Sequence, residues 1–124
     1  MATLSINILD IASGRMAEGI SVQIRKIVEG DWVQLPDAET QSDGHAKLCE
    51  GAVLSDGGYF ETLVFLGAYF EHIGHDLPQL RLGGILPLRF GLEPADSDIA
   101  INLSITPHGY TAGFTTQEST AKQA

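Results

Sequence analysis

One stretch near the C-terminal end of the chain constrains the fold most, because its side chains alternate strictly between apolar and polar. Residues 99–106 read Ile-Ala-Ile-Asn-Leu-Ser-Ile-Thr. A period of two is typical of a β-strand with one face in a core and the other in more polar surroundings. Pro107, His108 and Gly109 then predict a chain reversal into a second strand from Tyr110 to Thr116. The segment is predicted to form a β-hairpin whose outward face is polar and almost uncharged.

The rest of the chain repeats this pattern in short segments, with turns about every ten residues. Alternation recurs over residues 4–10, 20–28 and 86–92, and aromatic and β-branched residues dominate 59–65. Residues 67–73 lack alternation and contain fair helix formers, which predicts one short helix. About eight short strands and one helix predict an all-β fold, a two-sheet antiparallel β-sandwich.

Length and composition limit the class of protein. A chain of 124 residues with 44% hydrophobic and 19% charged residues can bury one core and is too apolar to stay disordered. The formal net charge of -9 opposes binding to nucleic acid and to anionic membranes. Cys49 is the only cysteine, so no intrachain disulfide forms, and residues 1–5 lack the features of a secretory signal. We expect a soluble, cytoplasmic domain over residues 1–116 and a polar tail over 117–124.

Several motifs, in their order and spacing, resemble the transthyretin and 5-hydroxyisourate hydrolase family. Residues 4–19 read Leu-Ser-Ile-Asn-Ile-Leu-Asp-Ile-Ala-Ser-Gly-Arg-Met-Ala-Glu-Gly, similar to the family's opening Leu-Ser-Thr-His-Val-Leu-Asp-Thr-Ser-Ser-Gly-Arg-Pro-Ala-x-Gly. Residues 40–44 resemble its Thr-x-x-Asp-Gly, and residues 88–116 align with its final strands without a gap. The resemblance implies a homotetramer, a dimer of dimers, around a channel lined by the first strand and the last two. That channel holds the active sites of the hydrolases and the ligand site of the hormone carriers.

At the positions that carry the hydrolase chemistry, the resemblance implies different side chains in this sequence. The histidine of the family's first strand corresponds to Asn7, and the arginine after Asp-Gly corresponds to His45. The family's His-Tyr-His corresponds to residues 98–100 (Asp-Ile-Ala), and its closing Tyr-Arg-Gly-Ser to residues 113–116 (Gly-Phe-Thr-Thr). An amide cannot act as a general base, and residues 113–116 contain no guanidinium. Hydrolysis by the family mechanism is therefore not expected.

The same alignment predicts which side chains line the channel, because strand neighbours two apart share a face. Amides and hydroxyls there favour a small polar ligand held by hydrogen bonds. His45 and Asp98 are predicted to form an acid–base couple in which the carboxylate orients the imidazole. An ordinary solvated strand face is the alternative for the polar strand residues, and an exposed turn position for the two histidines. The candidate catalytic residues are Asn7, His45 and Asp98, and the candidate ligand-binding residues are Leu9, Asn102, Ser104, His108, Thr111 and Gly113.

No cofactor and no metal are predicted. His72 and His75 lie close to Glu71 and Asp76, but a helix end between the two histidines makes a solvated surface the preferred interpretation. The favoured function is an enzyme that binds and converts a small polar ligand, purine-derived or another heterocycle. The alternatives are a non-catalytic small-molecule binding protein, a residual 5-hydroxyisourate hydrolase of purine degradation, and an assembly partner of an active chain.

Overall fold

The computed structural model describes residues 2–72, 84–106 and 109–118, except for the side chain of residue 118. These ranges contain ten strands and two helices. The strands are β1 (Thr3–Asp10), β2 (Arg15–Met16), β3 (Ser21–Val28), β4 (Asp31–Gln34), β5 (Ala38–Glu39), β6 (His45–Glu50), β7 (Gly58–Val64), β8 (Leu86–Leu92), β9 (Ser97–Thr106) and β10 (Gly109–Glu118), and the helices are α1 (Ala52–Ser55) and α2 (Leu66–His72). Eight of the strands have four or more residues. The predicted all-β fold of about eight strands is confirmed.

The strands form two five-stranded sheets. The first has the order β10-β9-β1-β2, with β6 also paired to β1, and the second has the order β4-β3-β7-β8, with β5 also paired to β3. All described pairings are antiparallel except one, since β1 and β9 run parallel. The predicted two-sheet antiparallel β-sandwich is confirmed, with this one parallel pairing inside the first sheet. Most of the chain connects β1 to β9, so no short turn forces these two strands to be antiparallel.

The core lies between the inner faces of the two sheets. Every second residue of β1 and of the second half of β9 is buried, as the alternation in the sequence predicts. Large aliphatic side chains of this kind each stabilise the fold by about 2 kcal/mol when buried. The fully buried apolar side chains include Leu4, Ile6, Ile8, Ile20, Val22, Ile24, Phe60, Val64, Leu66, Ile101, Leu103 and Ile105. Burial of one face of β1 and β9 fixes their other face toward the outside.

The structure departs from the predicted elements in three places. Helix α1 was not predicted, because a single four-residue turn is too short to show helical periodicity. Helix α2 begins at Leu66, and its predicted end lies outside the described residues. Strand β10 continues through Glu118, so Gln117 pairs with Asp98 within what was predicted to be the tail. Neither α1 nor α2 is long and apolar enough to cross a bilayer.

The outward face of the second sheet holds a buried carboxylate between two arginines. Glu61 is 3% exposed and accepts hydrogen bonds from Arg25 Nε at 2.7 Å and from Arg89 Nε at 2.5 Å. Both guanidinium groups also lie over the ring of Trp32. The hydrogen bond from Arg89 outweighs the effect of burial, and together with Arg25 it holds the pKa of Glu61 below its usual range. Glu61 is therefore charged and fully engaged, which leaves it no separate role in ligand chemistry.

Candidate active site

The outward face of the first sheet, here called the outer polar face, carries the side chains that alternate with the core. Strand pairing arranges them in four rows that cross the sheet. The rows are Glu50–Thr3–Asp98–Gln117, Lys47–Ser5–Ala100–Thr115, His45–Asn7–Asn102–Gly113 and Met16–Leu9–Ser104–Thr111. Neighbouring rows lie about 7 Å apart, because two residues of a strand separate them. The first three rows are mostly polar, as the sequence predicts, and the fourth begins with the apolar side chains of Met16 and Leu9.

The third row joins three predicted site residues by hydrogen bonds. His45 Nδ1 lies 2.8 Å from Asn7 Oδ1. Asn7 Nδ2 donates to Asn102 Oδ1 at 3.3 Å. Asn102 Nδ2 in turn donates to Thr115 Oγ1. The result is a continuous polar chain across strands β6, β1, β9 and β10, here called the polar chain.

Thr115 is the member of this chain that sequence reasoning missed. Gly113 lies opposite Asn102 but has no side chain, so the Asn102 amide reaches the diagonal neighbour on β10 instead. A signal for this residue existed in the sequence. Thr115 lies two residues beyond Gly113, which puts it on the same face as the predicted Thr111 and Gly113.

Asp98 forms no hydrogen bond with His45 in the single polypeptide chain. Its Oδ1 accepts from the backbone N–H of Thr3 at 3.2 Å and from Thr3 Oγ1 at 2.9 Å. Asp98 is in the first row and His45 in the third, so about 13 Å of strand separates their rows. The predicted acid–base couple is therefore not formed in the single chain. The sequence could not reveal this, because Thr3 is 95 residues away and meets Asp98 only through the parallel pairing of β1 with β9.

The remaining predicted residues surround the polar chain. Leu9 and Ser104 are half-buried and pair across β1 and β9, and Thr111 pairs with Ser104 from β10 and is exposed. At Gly113, an added Cβ would meet no atom within 4 Å, so the face is open at that position. His108 lies outside the described residues. Leu9, Ser104 and Thr111 thus form one wall beside the polar chain.

A tight turn sets the position of His45. Asp43 Oδ1 accepts the backbone N–H of His45 at 3.0 Å, and Gly44 adopts a φ of 73° that suits glycine. The carbonyl of Gly44 also accepts the backbone N–H of Ile8 at 2.8 Å, which ties the turn directly to β1. Because Ile8 follows Asn7, this bond sets the distance between the imidazole and the Asn7 amide.

The direction of the hydrogen bonds defines which tautomer of His45 the site holds. With the amides oriented as in the structure, Asn7 Oδ1 acts as an acceptor, so His45 Nδ1 must be the donor. In the neutral imidazole, Nε2 then has a free lone pair. Asn7 and Asn102 each keep a second Nδ2 hydrogen, beyond the one used in the chain, for a ligand oxygen. The site therefore offers one potential base and two amide donors close together.

Among the described residues, neither a reactive cysteine nor a metal-binding cluster contributes to this site. Burial raises the pKa of the Cys49 thiol to about 11, so this half-buried side chain is protonated at neutral pH and is a poor nucleophile. Within residues 2–72, 84–106 and 109–118, no group of three or more histidine, cysteine or acidic side chains could hold a metal ion. Of the residues weighed for a metal, His75 and Asp76 lie outside those ranges.

Comparison with known proteins places the chain in a family. 5-Hydroxyisourate hydrolase 2 of Rhizobium meliloti is 37% identical over 111 residues, which cover 87% of this chain and 91% of that protein. A crystal structure of (S)-allantoin synthase superposes with a TM-score of 0.84 at 21% identity, covering 92% of this chain and 43% of that one. Transthyretin from Sparus aurata superposes with a TM-score of 0.80 at 18% identity, covering 93% and 97% of the two chains. These two structural matches show that the fold is shared.

The family model extends the similarity in sequence across almost the whole sandwich. It matches residues 4–113, from the start of β1 into β10. The match therefore includes His45, Asn7 and Asn102 of the polar chain and ends two residues before Thr115. Together with the identity to the Rhizobium meliloti hydrolase, this match shows that the chain belongs to the HIUase/Transthyretin family.

Proposed function

We propose that this protein binds a small polar heterocycle with cyclic amide groups on the outer polar face and opens its ring by hydrolysis. The polar chain from His45 through Asn7 and Asn102 to Thr115 carries the proposal. A solvated strand face does not require side chains to bond in series across four strands, whereas a site for a polar ring benefits from fixed donors and acceptors. The relatives named 5-hydroxyisourate hydrolase support a substrate from purine metabolism.

In the proposed reaction, His45 Nε2 takes a proton from a water molecule, and the water oxygen forms a bond to a ring carbonyl carbon. The second hydrogens of the Asn7 and Asn102 amides hold the carbonyl oxygen as it gains negative charge. The C–N bond of the ring then breaks, and the imidazolium returns its proton to the departing nitrogen. No redox partner is needed, and the products are a carboxylic acid and an amine or urea nitrogen on one opened chain.

The site is proposed to be completed by further copies of the chain, in a dimer of dimers. Asn102, Thr111 and Thr115 are exposed in the single chain, so the outer polar face excludes no water by itself. Strand β10 lies at the edge of its sheet, which leaves one side of its backbone available for pairing. We expect light scattering on a size-exclusion column to give a mass four times that of the 13.3 kDa chain. A monomer at micromolar concentration would contradict the enclosed site.

The proposed reaction is tested with freshly generated 5-hydroxyisourate, followed by its ultraviolet absorbance. Replacing His45 with alanine is expected to lower kcat/KM about a hundredfold, the lower end of what a general base contributes. His72→Ala is the matched control, because His72 is an exposed histidine at the last position of α2 and outside the polar chain. Equal activity of His45→Ala and the unmodified protein would contradict the role of His45.

A non-catalytic binding protein is the second candidate. It is favoured by the position of Asp98, whose hydrogen bonds go to Thr3, so that His45 has an amide rather than a carboxylate as its partner. An amide orients the imidazole but does not stabilise its protonated form as a carboxylate would. Binding of 5-hydroxyisourate or of its stable analogue urate, shown by a rise in melting temperature without turnover, would support this candidate over the enzyme.

A further inference from the structure

A small pocket lies on the outer polar face beside the polar chain. Its volume is about 210 Å³. Its lining comes from the first two rows of the face and from Ile99 between them, and consists of Ser5, Asp98, Ile99, Ala100, Thr115 and Gln117. Thr115 belongs both to this pocket and to the polar chain. A ligand bound on the polar chain can therefore extend one substituent into the pocket.

The carboxylate of Asp98 is held in a fixed orientation at the wall of this pocket. Both hydrogen bonds from Thr3 go to Oδ1, one from the backbone and one from the hydroxyl. Among the described residues, none donates a hydrogen bond to Oδ2. A carboxylate oxygen accepts up to two hydrogen bonds, so Oδ2 is available to a ligand.

Among the described residues that line the pocket, Asp98 is the charged one. Ser5 and Thr115 contribute hydroxyls, Gln117 an amide, and Ala100 a side chain too short to fill the space. None of the described residues that line it is a lysine, an arginine or a histidine. Nearby on the same face, Lys47 is bonded to Glu50 at 2.9 Å and is half exposed to solvent. The net charge of -9 adds to the negative potential over the face.

From these features we infer that the pocket selects ligands whose ring carries a neutral or cationic N–H group, such as an amidine, guanidine or ureide nitrogen, and disfavours anionic rings. An N–H donor would bond to Asp98 Oδ2, while the hydroxyls of Ser5 and Thr115 bond its neighbouring atoms. An anionic group would lie against the carboxylate without a compensating cation. This inference rests on the proposed function, since it names the substrate class of the same site.

The inference is tested by measuring Kd for three ring probes of different charge by calorimetry or NMR titration. The probes are the 2-aminoimidazolium cation, neutral hydantoin and the urate anion. The unmodified protein is expected to bind the cation at least tenfold more tightly than the anion. Asp98→Asn keeps an oxygen for the two donors of Thr3 but removes the charge, so it is expected to abolish most of this difference. Asp31→Asn removes an equal charge from β4 on the other sheet and is expected to leave the preference unchanged.

A second variant tests the pocket by its shape. Ala100→Leu fills the space between Ser5 and Thr115 and is expected to weaken binding of the cation and of hydantoin at least tenfold. Ala95→Leu adds the same volume at an exposed loop position and serves as the control. Melting temperatures of the four variants show whether each is folded.

The outcomes separate this inference from the proposed function. If the Kd values of the ring probes are the same in Asp98→Asn and Ala100→Leu as in the unmodified protein, but binding is lost in His45→Ala, the pocket's role is overturned and the proposed site is still supported. Loss of the charge preference in Asp98→Asn, without any turnover by the unmodified protein, would support the pocket and contradict the enzyme. Failure of all three probes to bind would overturn the pocket's role, whereas absence of 5-hydroxyisourate turnover by the unmodified protein is what contradicts the enzyme.

Discussion

Replacing Asp10 with alanine is expected to lower the free energy of unfolding by about 4 kcal/mol, because it leaves several buried donors without their acceptor. Asp10 is fully buried at the end of β1. Its Oδ1 accepts the backbone N–H groups of Ala12 at 3.0 Å and Ser13 at 3.2 Å, and its Oδ2 accepts Tyr69 Oη at 2.8 Å. The alanine variant leaves all three donors without this acceptor, and the buried Tyr69 hydroxyl cannot turn to water.

Tyr69→Phe is the matched variant, because it removes one of the three bonds and keeps the carboxylate. A cost of about 1 kcal/mol is expected for that bond. Chemical denaturation of both variants in urea measures the two values. If Asp10→Ala costs no more than Tyr69→Phe, the two backbone bonds of the turn contribute nothing, contrary to the argument from burial.

The pH dependence of Asp10→Ala gives a second measurement of the same effect. Burial alone would raise the pKa of Asp10, but the hydrogen bonds from Tyr69, Ser13 and Ala12 outweigh it and hold the pKa below its usual range. A carboxyl with a lowered folded-state pKa stabilises the protein above pH about 4, and this contribution is lost as the pH falls through the folded-state value. The unmodified protein is therefore expected to lose stability more steeply than Asp10→Ala as the pH falls below about 4.

The alternation of side chains predicted the strands and their exposed faces, because one apolar face must be buried whatever the partner strand. It predicted that Asn7 and Asn102 point outward. It could not predict that they bond to each other, since this depends on the parallel pairing of two strands separated by 95 residues. Alternation predicts which face of a sheet a residue lies on, but not which row it lies in. For this reason the predicted pairing of His45 with Asp98 was wrong for the single polypeptide chain.

The hydrogen bond between Asp10 and Tyr69, in the core, is also one that the sequence pattern could not predict. Asp10 continues the buried positions of β1, where the pattern predicts an apolar residue. Its compensating donor is on α2, 59 residues away, and lies near it only after the two sheets pack. A buried acid in an apolar pattern indicates that some partner exists, since an unpaired buried charge is too costly, but local sequence does not say which.

The glycine before His45 connects stability to the site. Gly44→Ala is expected to lower the free energy of unfolding by about 3 to 4 kcal/mol, from two causes that add. The positive φ of 73° disfavours any residue with a Cβ. In addition, an ideal Cβ would lie 2.5 Å from the carbonyl oxygen of Ile8. That oxygen cannot easily move, because it accepts the backbone N–H of Ala17 at 2.9 Å.

Gly30→Ala separates the two causes. Gly30 has a similar φ of 86° in the turn between β3 and β4, and an added Cβ there meets no atom within 4 Å. Its substitution is expected to cost only the conformational term, about 1 kcal/mol. The difference between the free energies lost in Gly44→Ala and in Gly30→Ala measures the steric contact of the added Cβ with β1. Relief of that contact must move the turn away from Ile8.

Because the same turn holds His45 beside Asn7, Gly44→Ala is expected to weaken binding of ring probes as well, whereas Gly30→Ala leaves it unchanged. Equal stabilities of the two variants would mean that β1 and the turn do not pack as closely as the positions of Gly44 and Ile8 require.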